Sequence, residues 1–97
     1  MIKAVFKRND NCYSYYNEAV MNNLVFYGIL EYDKEYKLED AYITHFFFNL
    51  VYIKVIGIKD WFQSWCFDFY EDGKKIDIVL CFLRDPQFCE KIKGSNR

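Results

Sequence analysis

WFQSWCFDFYEDGKKIDIVLCFL, residues 61–83, decides the fold. Two runs rich in aromatic and β-branched residues flank EDGK, and Asp72-Gly73 is a favoured two-residue type I′ hairpin turn. That turn pairs Phe69 with Ile76, Phe67 with Ile78 and Trp65 with Leu80 along one apolar stripe. On the other face Asp68 meets Asp77, with Cys66 and Cys81 as diagonal neighbours. The stretch therefore predicts an antiparallel hairpin at the heart of a sheet.

Upstream, Ile2 to Phe6 reads as a short strand. Tyr15, Tyr16, Ala19 and Val20 have helical spacing behind Ser14, a suitable N-cap, which predicts a helix over 14–23. Leu24 to Tyr32 is rich in β-formers and reads as a strand ending at a charged turn. After the polar break DKEYKLED, Leu38, Tyr42 and Phe46 recur every four residues, with Ile43, Phe47 and Leu50 beside them. This predicts a helix with a wide apolar face. Val51 to Ile58 alternates around Lys54 as a strand, with Gly57 marking a bulge. Downstream, Asp85-Pro86 starts a last helix and Gly94 stops it. The order β-α-β-α-β-β-β-α makes the chain, residues 1–97, a small single α+β domain. Its sheet is mainly antiparallel, with helices packed on one face.

Ten Phe, nine Tyr and two Trp in 97 residues require an aromatic core. Each ring buries about 150–250 Å², so a chain this short can hold together without disulfides or a metal. A small domain cannot hide every ring, however. The surplus meets water, and exposed Tyr and Trp rimmed by charge are what protein-binding patches are enriched in. Lys outnumbers Arg ten to three, and Phe, Tyr, Lys, Asn and Ile, all with AT-rich codons, are abundant. This associates the chain with AT-rich genomes such as those of many phages, mobile elements and low-GC bacteria.

Other uses of the rings fit less well. Residues 41–58 approach the length of a membrane span, but His45, Asn49 and Lys54 lie within them, and a mid-span Lys costs about 2.5–3.5 kcal/mol. No membrane span is expected. Stacking on nucleic acid needs aromatics interleaved with cations, whereas residues 31–77 carry ten acidic against six basic residues. Direct nucleic-acid binding is not expected. The first ten residues carry Lys3, Lys7 and Arg8 and lack the apolar run of a secretory signal. The expectation is an intracellular protein of the host cytoplasm, with Cys12, Cys66, Cys81 and Cys89 as reduced thiols.

The cysteines form no Cys-x-x-Cys pair and His45 is the single histidine, so neither a zinc site nor a Cys–His nucleophile pair is announced. His45 reads as a partly buried helical residue. Facing Asp68 and Asp77 would repel, which Lys75 on the same face offsets. The alternatives are a divalent cation shared with Glu71 or Asp72, or the basic residues of a partner protein. Glu31, Asp33, Glu35, Glu39 and Asp40 form a second acidic stretch, read as a solvated loop and helix start.

The expected function is a non-enzymatic protein-binding module without a cofactor. Asp68, Glu71, Asp72, Asp77, Trp61 and Tyr70 would bind a basic patch on a larger protein or complex. In being short, motif-poor and AT-biased the chain is similar in general character to the small phage-encoded inhibitors of host defence nucleases, anti-CRISPR proteins among them. That likeness implies an inhibitor or accessory protein acting on a host defence or nucleic-acid-processing complex. A bacterial immunity protein against a cognate toxin is the alternative. A small metal-dependent hydrolase using Asp68 and Asp77 is the alternative of another class, and a homodimeric subunit is a third.

Overall fold

In the computed structural model, residues 2–7, 27–45 and 48–94 are described. Among them six strands form one antiparallel sheet. These are β1 (Ile2–Phe6), β2 (Glu35–Thr44), β3 (Leu50–Val55), β4 (Phe62–Gln63), β5 (Phe67–Glu71) and β6 (Lys74–Ile76). Their spatial order is β4-β3-β2-β1-β5-β6. Helices α1 (Ile78–Arg84) and α2 (Phe88–Gly94) pack on the sheet, and the α+β class is the one the sequence predicts. Among the described residues no helix is long and apolar enough to cross a membrane.

The sheet cannot be flat. Strands β3, β2 and β1 lie between β4 and β5, so a flat sheet would hold those two about 19 Å apart. The chain from Gln63 to Phe67 spans at most about 14 Å even when extended, and here it is wound into a 3₁₀ turn over Ser64–Cys66. The sheet therefore curls until its ends approach. The rings of Phe62 and Phe67 lie 5.7 Å apart, and Phe6 and Phe69 continue the stack at 5.4 and 6.3 Å from Phe67. Ala4, Leu30, Val51, Ile53 and Val55 fill the space between them and are buried. Phe82 of α1 and Phe88 of α2 meet edge to face at 5.2 Å and, with Ile92, belong to this same core. Thus Phe62, Phe67 and Phe69 of the ring-rich region are interior, while Phe48, Tyr52, Trp61 and Trp65 are partly or largely outside.

The hairpin turn is as the sequence predicts. Phe69 pairs with Ile76, Tyr70 with Lys75 and Glu71 with Lys74, and Asp72 and Gly73 have the positive φ of 52° and 83° that a type I′ turn needs. The ladder, however, stops at Ile76. The Asp77 carboxylate accepts the backbone N–H groups of Val79 at 3.1 Å and Leu80 at 3.2 Å, capping α1. Ile78 and Phe82, one helical turn apart, are then buried together. Phe67 does not face Ile78, nor Trp65 Leu80, and Asp68 and Asp77 are not a cross-strand pair. Cys66 is buried in the 3₁₀ turn and Cys81 lies on α1, so they are not ladder neighbours.

The expected helix beginning at Leu38 is instead strand β2. Its inward side chains are Tyr36, Leu38 and Ala41, and a bulge between Leu38 and Asp40 shifts the register by one residue. The bulge converts a two-residue period into a three-residue step that imitates a helix. Tyr42, the supposed neighbour of Leu38 on one helical face, points outward. His45 follows β2, is exposed, and its Nδ1 lies 2.6 Å from Oδ1 of Asn49. Phe46 and Phe47 lie outside the described residues.

The expected helix over 14–23 also lies outside them. Of the strand expected over 24–32, residues 27–32 are turns and bends. Strand β3 ends at Val55, and Gly57 at φ 95° turns the chain rather than bulging a strand. The last helix starts later than the Asp85-Pro86 signal. Asp85 first accepts the Gln87 N–H at 3.0 Å, and α2 begins at Phe88.

Candidate functional site

Pairing of β1 with both β2 and β5 builds an ordered outer face. One cross-strand row runs Lys75, Tyr70, Lys3, Lys37; the next runs Asp68, Val5, Glu35. Ion pairs link the rows: Lys75 to Asp68 at 3.6 Å and Lys3 to Glu35 at 3.2 Å. Inward side chains from the same strands are core, so alternation alone dictates which residues the face displays.

The turn before β2 is fastened to this face. The Asp33 backbone N–H donates to the Phe6 carbonyl at 2.9 Å, and Tyr32 stacks on Phe6 with centroids 4.7 Å apart. The Tyr36 hydroxyl accepts the Glu31 N–H at 2.8 Å. Asp33, at φ 63°, then sets its carboxylate 2.6 Å from the Lys7 ammonium. That hydrogen bond and its charge hold the Lys7 pKa above the ordinary lysine value, with smaller contributions from Asp68 and Tyr70.

Between this turn and the β5–β6 hairpin lies a cleft of about 630 Å³ lined by Lys3, Val5, Asp33, Glu35, Tyr70, Asp72 and Gly73. The lining carries three carboxylates and a phenol, with Lys3 held by Glu35 and Lys7 by Asp33. Two of the carboxylates stand on left-handed turn residues, Asp33 and Asp72, which fixes where their side chains leave the backbone. Such a lining can hold a guanidinium or ammonium group, with the Tyr70 ring as an apolar wall. Among the described residues the lining has no histidine, cysteine, serine or threonine.

The structure gathers only part of the expected partner-binding set. Tyr70 and Asp72 line the cleft, and Asp68 is on the same face beside Lys75. Glu71 points to the opposite side, where its Oε1 lies 2.6 Å from the Lys91 ammonium of α2. That contact raises the Lys91 pKa. Asp77 caps α1 through Oδ1 and is not among the residues lining the cleft. Trp61 is elsewhere, edge-on to Tyr42 at 4.9 Å, and Tyr42 in turn stacks on Tyr52 at 5.2 Å. Asp68 and Asp77 do share the rim of a second, 250 Å³ depression with Trp65, Lys75 and Val79. Among the described residues no three His, Cys, Asp or Glu side chains cluster as metal ligands would.

No protein-family model, curated protein or solved structure matches this chain. The site must be judged by its own chemistry.

Asp33, Glu35 and Lys3 are the cleft residues that sequence reasoning did not single out. The first two belong to the acidic stretch read as solvated loop and helix start. Their role depends on β1 pairing with β2 across some thirty intervening residues, which no local pattern encodes. The signal within reach was the alternation Glu35, Lys37 and Glu39 opposite Tyr36 and Leu38, the period of a half-buried strand.

Proposed function

We propose that the protein is a non-enzymatic binding module that receives a basic segment of a larger protein in the Tyr70 cleft. Asp33, Glu35 and Asp72 steer and pair the incoming Arg or Lys, and the Tyr70 ring supplies the desolvated contact. The observation that carries this reading is the cleft, where three carboxylates outnumber the two lysines that contact them, Lys3 and Lys7, beside the Tyr70 ring. The turns that present these groups are tied to β1 and β5, so little order is lost on binding.

An inhibitor or accessory protein of a phage or mobile element, directed at a host defence or nucleic-acid-processing complex, is the biological form this reading takes. Its support is compositional: a short, motif-poor, AT-biased chain. The test is affinity capture from the native host with the wild-type chain beside Tyr70→Ala and Asp72→Lys. The expected result is one dominant partner with a basic surface, lost with either variant and weakened by salt. Turnover of a substrate by the purified chain, or capture that both variants leave intact, overturns the reading. A captured toxin rather than a defence nuclease would mark an immunity protein.

A further inference from the structure

Helix α1 carries an apolar face that the core does not use. Its sequence, IVLCFLR, buries Ile78 and Phe82, yet Leu80 is 44% exposed and Leu83 48%. Beside them Val79 lines the 250 Å³ depression together with Trp65, itself 39% exposed. The apolar surface thus runs from the 3₁₀ turn along the outside of α1. Exposed Leu and Trp side chains that adjoin a half-buried Val are what interaction sites display.

The charges around this face say what covers it. Leu80 and Arg84 lie one turn apart on one side of the helix, and Asp77, its N-cap, stands at the first end. The face has an anion at its first end, an apolar centre and a cation at its last. Turned by a two-fold axis through Leu80, it complements itself: Leu80 meets Leu80, and Asp77 of each copy meets Arg84 of the other. Both charges are available for this. Asp77 uses only Oδ1 to cap the helix, and Arg84 has no ion-pair partner among the described residues. Many lysines, by contrast, already stand against acids: Lys3, Lys7, Lys34, Lys54, Lys75, Lys91 and Lys93. Arg is also the cation that interfaces favour.

The geometry points to α1 as a homodimerisation surface, with two copies packed helix against helix, antiparallel, about a two-fold axis at Leu80. Antiparallel packing also sets the helix dipoles head to tail. A seven-residue helix with its flanking Trp65 makes a small interface, short of the about 1,200 Å² at which stable complexes begin. The dimer is accordingly weak and forms reversibly with concentration. This surface is separate from the Tyr70 cleft, so each assignment can fail without the other.

Sedimentation equilibrium of the full chain from about 5 to 500 µM tests it. The expected result is a weight-average mass rising with concentration from 11.8 kDa towards twice that value. Leu80→Asp should remain at the monomer mass throughout. Arg84→Glu should weaken association about tenfold, because each of two symmetric ion pairs becomes a repulsion. Asp77→Asn keeps a capping oxygen while removing the charge, and should weaken association with helix stability nearly unchanged. Leu80 and Arg84 are exposed, so circular dichroism melting of those variants at low concentration should match wild type. A wild-type chain that stays monomeric at the highest concentration overturns the proposal, as does a dimer indifferent to Leu80→Asp or to Arg84→Glu.

Discussion

Phe62 and Phe67 lie with ring centroids 5.7 Å apart although three strands separate β4 from β5 in the sheet. The contact marks where the curled sheet meets itself, and Phe67 also touches the rings of Phe6 and Phe69. Removing the Phe67 side chain leaves a cavity at this junction that neither end of the sheet can collapse to fill. Phe67→Ala should cost about 3–5 kcal/mol in urea unfolding. Trp65→Ala, two residues away but substantially exposed, should cost much less. Equal losses would mean that the sheet ends are not joined through this ring.

Asp77 supplies a test of sign. As the cap of α1 its carboxylate satisfies two helix N–H groups, so Asp77→Ala should destabilise by about 1 kcal/mol and Asp77→Asn by far less. Had the hairpin ladder continued, the same substitution would have relieved repulsion from Asp68 and raised stability. The direction of the change in denaturation midpoint, measured at low protein concentration, separates the two arrangements.

What the sequence could and could not reveal follows the range of the forces involved. The Asp72-Gly73 turn and the pairing of Phe69 with Ile76 are local, and both were readable. Beyond Ile76 the run IVLCFL suits strand or helix equally by hydrophobicity. The deciding cue was Asp77 before Ile78 and Phe82 at helical spacing, a cap signal outweighed by the apparent continuation of the hairpin. At Leu38 the physical cause is different. A bulge has no residue signature of its own, and it changed the inward spacing from two to three. Tyr70 and Asp72 stand out in the sequence as candidate partner-binding residues because they lie on the hairpin. Asp33 and Glu35 join them only through strand pairing far apart in sequence.

Alkaline titration should expose the tie between α2 and the sheet. The hydrogen bond and charge of Glu71 raise the Lys91 pKa above the ordinary 10.5, so this contribution is complete below that pH. It is lost as pH rises through the higher folded-state value, since the unfolded chain releases its proton first. Lys7 with Asp33 and Lys34 with Glu31 behave in the same sense. Thermal stability should therefore decline above about pH 10.5, and Lys91→Met should make that decline shallower. All three lysines are at the surface, so the effect is small and should shrink further in salt. A decline as steep in Lys91→Met as in wild type would remove Lys91 from its cause.

The Cys81 thiol should be sluggish. Burial chiefly, and then the Glu71 and Asp77 carboxylates, push its pKa above the ordinary 9.0, so less thiolate is present at any neutral or mildly alkaline pH. In the folded monomer, iodoacetamide labelling of Cys81 at pH 8–9 should run slower than labelling of a free cysteine peptide. The fully buried Cys66 should label only on unfolding. Lys91 acts on Cys81 in the opposite direction, so Lys91→Met should slow Cys81 labelling further. Faster labelling in that variant would show that helix opening, not electrostatics, limits the rate.

Gln63 offers the opposite case, a polar side chain whose removal should help. It sits on edge strand β4 opposite Tyr52, is 5% exposed, and its Oε1 has no hydrogen-bond partner among the described residues. Its neighbour Phe62 faces the core, so alternation assigns Gln63 to the outer side of the sheet. An amide oxygen taken from water without a partner costs about 1–3 kcal/mol, and an apolar side chain of the same length carries no such cost. Gln63→Met should accordingly raise unfolding stability by about 1 kcal/mol, since the two side chains lose similar rotamer entropy on burial. Urea denaturation of the two proteins reads this directly. A loss of comparable size would place a donor against that oxygen, and would turn Gln63 from a burial cost into a structural anchor of the β4 edge.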